Sequence, residues 1–159
     1  MARIKASAQL VKRQVRADAD LVARVRHACA ARVEQLATLG TIVGDAIVRH
    51  VEGLERRHNG GAEWPAAKVL PRRIGSERRE APAGGWRVLP FRIPKALDRR
   101  SKAAARGMGV LWVDLVVEAV RREVARLERA HNAGRPFPAA DMPLGRREGD
   151  SYAGQVARE

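Results

Sequence analysis

The chain repeats part of its own sequence after 73 residues, and this feature limits the possible folds more than any other. Residues 54–61 read Leu-Glu-Arg-Arg-His-Asn-Gly-Gly, and residues 127–134 read Leu-Glu-Arg-Ala-His-Asn-Ala-Gly. At the same offset, an aromatic residue followed by proline occurs at 64–65 and again at 137–138. Such a repeat indicates two copies of one small structural unit, because a single large core does not require the sequence to recur.

The second copy has the pattern of a strand followed by two helices. Apolar residues at alternate positions of 86–94 predict a half-buried strand, and Pro90 within it favours a short ribbon with a free edge. Residues 95–106 are good helix formers, and the Gly-Met-Gly sequence at 107–109 ends that helix. An apolar stripe at helical spacing predicts a longer helix over residues 111–130.

The first copy has the same order of elements with a less regular strand. Residues 10–17 form the candidate strand, and Asp18 is a suitable N-cap for a helix that runs to about residue 36. Thr38 supplies a cap for the helix that follows. Arg13 falls on the otherwise apolar face of the strand, with no partner evident in the sequence.

These patterns predict a mainly α-helical protein with a short two-stranded antiparallel ribbon. We assign residues 1–67 to the first unit with its tail, and residues 86–145 to the second unit with its tail. Residues 68–85 are rich in Arg, Pro, Gly and Glu and are interpreted as a linker. Residues 146–159 are charged and lack periodicity, so we expect a disordered tail there.

Charge points to a polyanionic partner. The chain has 31 Lys and Arg residues against 18 Asp and Glu, a net charge of +13, which makes nucleic acid the expected partner. No apolar run is long enough for a membrane span or a signal peptide, so we expect a cytoplasmic protein associated with the nucleoid or a plasmid.

The sequence offers no catalytic or metal-binding motif. Cys29 is the one cysteine, and none of the four histidines stands at metal-ligand spacing from another ligand residue. No phosphate-binding glycine loop or nucleophile motif occurs either. We therefore expect no enzyme activity, metal or cofactor. Packing is the expected role of Cys29, of Trp112 and of the two aromatic residues in the repeated tails.

The second copy resembles the ribbon-helix-helix superfamily, which includes the Arc and MetJ repressors. The residues that carry this resemblance are Phe91-Arg92-Ile93-Pro94, Leu97, the three alanines at 103–105, Gly107 and Val113-Asp114-Leu115-Val116. The resemblance implies that two strands pair antiparallel and that their outward side chains contact base edges in the major groove of DNA. Two units on one chain imply a tandem pseudo-dimer, as in TraY-type relaxosome accessory proteins. The repeated tail resembles the end of ribbon-helix-helix centromere-binding partition proteins of actinobacterial plasmids.

Four side chains are candidates for base contacts, namely Lys12, Gln14, Arg16 and Arg92. Arg and Lys can bond guanine and Gln can bond adenine, while a solvated polar strand face is the alternative interpretation. The second strand offers Val88 and Pro90 beside Arg92, so we expect the two halves to contact DNA unequally at an imperfect site. The candidates for phosphate contacts at helix starts are Thr38, Leu39, Gly40, Val110 and Leu111.

The resulting functional hypothesis is sequence-specific binding of double-stranded DNA, at a plasmid or prophage centromere, with autoregulation. A ParA-type ATPase and self-association on adjacent DNA sites are the further partners considered. A relaxosome accessory factor, a transcriptional repressor and an antitoxin-type interaction module are the alternatives, and the sequence does not separate them. It also leaves open whether the units pair within one chain or between chains.

Overall fold

The computed structural model describes residues 9–31, 38–71 and 80–139. Its elements in chain order are β1 (Leu10–Asp18), α1 (Ala19–Ala31), α2 (Leu39–His58), β2 (Trp86–Pro94), α3 (Lys95–Met108) and α4 (Trp112–His131). The two strands form one antiparallel sheet, so the predicted fold class is confirmed. The expected end of the first helix near residue 36, residues 72–79 of the linker and the tail at 146–159 lie outside the described residues.

The chain contains two units with the same order of elements. The first unit is β1, α1, α2 and the tail at 59–71, and the second is β2, α3, α4 and the tail at 132–139. Strands and short helices of the two units begin 76 residues apart, whereas the long helices begin 73 residues apart. The first unit therefore carries three extra residues, and they fall between α1 and α2.

The strands pair within one chain around an approximate two-fold axis. Gln14 lies opposite Pro90, and each is the fifth of nine residues in its strand. Pairing extends symmetrically to the outermost pairs, Leu10 with Pro94 and Asp18 with Trp86. We call two residues related when they are 76 apart in the strands and short helices, or 73 apart in the long helices and tails.

The inner face of the ribbon packs against all four helices. Leu89, Phe91 and Ile93 of β2 are fully buried there, and so are the smaller Val15 and Ala17 of β1. The apolar stripes of α2 and α4 complete a single core, and these two helices pack on each other. Burial of apolar surface stabilises a fold by about 25 cal/mol per Å², and this free energy holds so short a ribbon in place.

The repeated His-Asn motif terminates both long helices in the same way. The backbone N–H of Asn59 donates to the carbonyl of Glu55, and that of Gly61 donates to the same carbonyl at 2.9 Å. Asn132 and Gly134 make the related bonds to Glu128. The motif is therefore a helix-terminating feature.

Two related ion pairs join each long helix to the short helix of the other unit. Arg24 of α1 binds the buried carboxylate of Glu128 in α4, with Nε 3.2 Å from Oε2. Arg100 of α3 binds the buried Glu55 of α2, with the same Nε distance. Because both units carry this arrangement, it fixes the crossing of the helices on both sides of the axis.

The tail of the first unit folds back onto the second unit. The indole of Trp64 lies against α3, where a Cβ added to Gly107 would be 2.4 Å from its ring. Arg106 donates to the carbonyl of Val69 at 2.8 Å and holds the next part of the tail on the same helix. The related aromatic residue, Phe137, is buried in the core. The expectation that the tail aromatics serve packing is therefore confirmed.

Candidate nucleic-acid interface

The outer face of the ribbon presents the four candidate base-contacting side chains together. Lys12, Gln14 and Arg16 of β1 are exposed, because alternation places them opposite the buried Val15 and Ala17. Arg92 of β2 is exposed on the same face. The structure thus brings all four residues onto one surface two strands wide.

The register divides this outer face into two unequal ends. Lys12 pairs with Arg92 at one end, so two cations lie side by side there. Arg16 pairs with Val88 at the other end, where 40% of the valine surface is exposed. Gln14 and Pro90 occupy the centre. One end is therefore doubly basic, and the other combines one cation with an exposed apolar side chain.

The cations of the outer face have no internal counter-ion in the described part of the chain. Among residues 9–31, 38–71 and 80–139, no carboxylate forms an ion pair with Lys12, Arg16 or Arg92. The acidic residue at the end of β1, Asp18, instead accepts a bond from the backbone N–H of Leu21. A positive surface with free donors remains available to an anionic ligand.

Arg13, which had no evident partner in the sequence, lies beneath this face rather than on it. Its Nε lies 2.9 Å from Oδ1 of Asp98, and its Nη2 lies 3.0 Å from Oδ2. Lys102 binds the same carboxylate at 3.0 Å. Burial by itself would raise the pKa of Asp98, but the hydrogen bonds and charges of these two cations outweigh it and lower that pKa.

The candidate phosphate contacts have two different settings. Thr38, Leu39 and Gly40 at the start of α2 are buried, and the hydroxyl of Thr38 accepts from the backbone N–H of Thr41 at 3.0 Å. At the start of α4, Val110 is exposed and Leu111 is half-buried. The open helix start is therefore that of the second unit, although its sequence lacks a polar cap.

A groove of about 820 Å³ lies between the open start of α4 and the ribbon. Its walls include Arg16, Val88 and Leu111, and residues 68–71 of the first tail form its far side. Lys68 is exposed at this groove, beside the outer face. The sequence did not single out Lys68, because its position depends on the docking of the tail on α3.

Trp112 fixes the start of α4 to its surroundings. Its indole N–H donates to the hydroxyl of Ser101 at 2.9 Å, and its ring centroid lies 6.4 Å from that of Phe91. The ammonium of Lys102 lies 5.5 Å from the ring centroid. A half-buried Trp112 is thus a structural anchor that sets the distance between α4 and the ribbon.

Residues 9–31, 38–71 and 80–139 contain no group of three or more His, Cys, Asp or Glu side chains that could hold a metal ion. Within the same ranges no helix has the length and apolarity to cross a membrane.

The fold and this surface define a mainly helical protein, with two successive strand-helix-helix segments, that presents a basic two-stranded ribbon. Residues 103–137 match the family described as centromere-binding protein ParB, C-terminal. The match spans the end of α3, the whole of α4 and the tail to Phe137, so it supports a relationship to partition proteins through the second unit. No curated protein matches the chain, and no solved structure does.

Proposed function

We propose that this protein binds double-stranded DNA sequence-specifically by inserting the outer face of its ribbon into the major groove, as the centromere-binding component of a partition system. The observation that carries the proposal is the group Lys12, Gln14, Arg16 and Arg92, exposed on one face, with no counter-ion for its three cations among the described residues. The match of residues 103–137 to a centromere-binding family supports the partition role. The order of elements in each unit supports membership of the ribbon-helix-helix superfamily.

The dimensions and chemistry of the ribbon suit the major groove. Strands lie about 4.8 Å apart, so a two-stranded ribbon fits a groove about 12 Å wide. Lys12, Arg16 and Arg92 can donate to guanine O6 and N7, and the amide of Gln14 can form two bonds to adenine. Val88 can contact a thymine methyl group. The doubly basic end and the mixed end then recognise different half-sites, so the preferred target is an imperfect palindrome.

Phosphate contacts at the groove beside α4 would fix the register of the ribbon on the duplex. The backbone N–H groups in the first turn of α4 and the ammonium of Lys68 lie on the same side of the ribbon. The N–H of Val110 itself donates to the carbonyl of Ala105 at 3.0 Å. A helix start attracts phosphate through its unpaired N–H groups and its dipole. The buried start of α2 would first have to become exposed to do the same.

Autoregulation, a ParA-type ATPase partner and self-association on adjacent sites complete the proposed partition role. Each follows from the similarity to partition proteins. A relaxosome accessory factor or a plain repressor would use the same outer face, and a relaxase gene or the lack of an ATPase gene next to the coding sequence would favour these alternatives.

Binding to DNA from around the protein's own gene tests the proposal. We expect Arg16→Ala and Arg92→Ala each to weaken specific binding by about 1–3 kcal/mol, roughly 5-fold to 150-fold, and to relax base preference at one position. Arg129→Ala is the matched control, because this exposed arginine lies near the opposite end of α4, about 25 Å along the helix axis from the groove. The control should lose less than about 2-fold in affinity.

Two outcomes would contradict the proposal. One is that Arg16→Ala and Arg92→Ala bind the preferred duplex as tightly as the control. The other is that the wild-type protein binds single-stranded DNA as tightly as any duplex. Equal protection and equal mutational sensitivity across a perfect palindrome would contradict the inequality of the two ends while leaving major-groove binding intact.

A further inference from the structure

One buried ion pair of the ribbon has no counterpart across the two-fold axis. Arg13 of β1 binds Asp98 of α3 through two hydrogen bonds of 2.9 and 3.0 Å, and Asp98 is 4% exposed. The related positions are Leu89 in β2 and Val22 in α1, and both are fully buried. The two sides of the core are therefore polar in one place and apolar in the related place.

This asymmetry distinguishes unlike from like pairing of the units. If the first unit paired with a second copy of itself, each Arg13 would face Val22. If the second unit did so, each Asp98 would face Leu89. In the first case two part-buried guanidinium groups would lose their carboxylate. In the second, two buried carboxylates would lose the guanidinium and keep only Lys102 of their own helix. Removing an opposite charge from a buried or part-buried ion is unfavourable, so like pairing is penalised twice per dimer.

Side-chain volume on the inner face acts in the same direction. The first unit contributes Val15 and Ala17, and the related residues of the second unit are the larger Phe91 and Ile93. Unlike pairing combines one small set with one large set. Two copies of the second unit would place two large sets in one core, and two copies of the first would leave space unfilled, both of which cost stability.

Two of the other ion pairs between the units do not make this distinction. Arg24 with Glu128 and Arg100 with Glu55 are related to each other, so every unit carries one arginine and one glutamate of this kind, and like pairing would satisfy them as well as unlike pairing does. Three further pairs have unlike residues at the related positions, but in each the atoms lie at least 3.5 Å apart and one side chain is at least half exposed: Arg49 with Glu123, Arg121 with Asp18, and Arg100 with Glu63. Arg13 and Asp98 form the strongest discriminating pair, because only one unit carries each member and two hydrogen bonds join them.

We propose that the Arg13–Asp98 pair makes each unit select the unlike unit as its partner, from the same chain or a second copy of this chain, and reject a copy of itself. The guanidinium also donates to the carbonyl of Lys12 at 3.1 Å, directly beneath the outer face. Unlike pairing always generates one doubly basic end and one mixed end. The pair thereby keeps the outer face asymmetric, and its effect on pairing does not depend on DNA binding.

The test uses the complete chain with a protease site placed within residues 72–79, between the two units. After cleavage the protein is unfolded in urea and refolded, and native mass spectrometry counts like and unlike pairs. Random pairing would make half of the dimers unlike, whereas we expect the cleaved wild-type protein to give nearly all unlike dimers. Like dimers near half of the total would overturn the proposal.

The decisive variant is Arg13→Leu with Asp98→Val, which copies the apolar residues of the related positions. We expect it to refold, since well-packed apolar residues often replace a buried ion pair without loss of stability, and to raise the fraction of like dimers several-fold. The control is Arg129→Gln, which changes an exposed side chain in the last turn of α4 and should leave pairing unchanged. Wild-type preference in the apolar variant would overturn the proposal.

A charge exchange covers the case in which the apolar variant does not refold. Arg13→Asp alone places two carboxylates together and should lose the unlike preference. Adding Asp98→Arg restores opposite charges and should recover it. If Arg13→Asp alone pairs as selectively as the wild-type protein, the proposal is wrong. All of these measurements omit DNA, so their failure is distinct from a failure of the proposed function.

Discussion

The two units share their long helices and differ along their strands. Helices α2 and α4 each have 20 residues, end at an asparagine cap and bury a glutamate that binds the short helix of the other unit. On the outer face, by contrast, only Arg16 and Arg92 are alike at related positions. On the inner face all three pairs of related residues differ, namely those at 13 and 89, 15 and 91, and 17 and 93.

This difference separates the parts that hold the units together from the parts that give them distinct roles. The long helices form the common core and meet each other across the axis, so a change in one must suit the other. The strands meet an external ligand on one face and the opposite unit on the other. Divergence there yields a ribbon with unequal ends and a core with one polar side.

Truncation of related core residues should give the largest contrast between the units. We expect Phe91→Ala to lower the free energy of unfolding by about 3–5 kcal/mol, because the fully buried ring would leave a large cavity. Val15→Ala at the related position removes two methyl groups and should cost about 2 kcal/mol. Urea unfolding followed by circular dichroism measures both. Equal losses would show that the inner face is less asymmetric than its side chains indicate.

The ion pair on one side of the core should give the next largest effect. Asp98→Asn leaves Arg13 without its carboxylate, and we expect the free energy of unfolding to fall by about 2–3 kcal/mol at pH 7. This loss is smaller than that of a deeply buried pair, because Arg13 is one-third exposed. Asp20→Asn, at an exposed carboxylate in the first turn of α1, is the control and should change stability by less than about 0.5 kcal/mol.

The pH dependence of this loss has a definite sign. The pKa of Asp98 in the folded protein lies below its ordinary value of 3.8, so its contribution is complete above that value and is lost as the pH falls through the lower folded pKa. The wild-type and Asp98→Asn proteins should therefore converge in stability at acid pH. A gap that stays constant from pH 6 to pH 2.5 would exclude this ionisation as its source, because the gap must begin to shrink once the pH falls below the ordinary pKa of 3.8.

These residues also show how far the sequence determines the structure. Periodicity is a local property of the sequence. Alternation predicted the strands and the exposed Lys12, Gln14 and Arg16, and helical spacing with capping residues predicted the helices. The place of Arg13 did not, because its partner is 85 residues away in the chain and Asp98 had the sequence pattern of a surface residue in the first turn of a helix. The buried start of α2 depends in the same way on packing between elements distant in sequence.

Gly107 is a second residue whose role depends on packing between elements distant in sequence. The Gly-Met-Gly sequence was expected to end the helix, but α3 continues through Gly107 and ends at Met108, with Gly109 in the left-handed region at φ 68°. Gly107 instead leaves room for Trp64. The related positions carry a residue with a Cβ, Ala31, and a smaller aromatic ring, Phe137.

The effect of Gly107→Ala should reverse sign with the tail. In the wild-type protein the added methyl group meets the indole, and we expect a loss of about 1–2 kcal/mol as the tail shifts. In a Trp64→Ala background the same change should stabilise the helix by about 0.5–1 kcal/mol, since alanine is the better helix former. A double-mutant cycle from urea unfolding measures the coupling, and the same sign in both backgrounds would mean that the tail does not dock on α3.

The helix starts should give the smallest contrast. Thr38 accepts a bond from the backbone N–H of Thr41, whereas Leu111 at the start of α4 provides no side-chain acceptor. Thr38→Ala should therefore cost about 1 kcal/mol, and Leu111→Ser should offset its lost packing with up to about 1 kcal/mol from the new cap. Because the start of α4 faces the groove beside the ribbon, Leu111→Ser should also leave DNA affinity equal or higher. A clear loss of affinity in a stably folded Leu111→Ser protein would instead mean that the leucine side chain itself contacts the duplex. The apolar DNA-contacting surface of the second unit would then extend from Val88 to the start of α4.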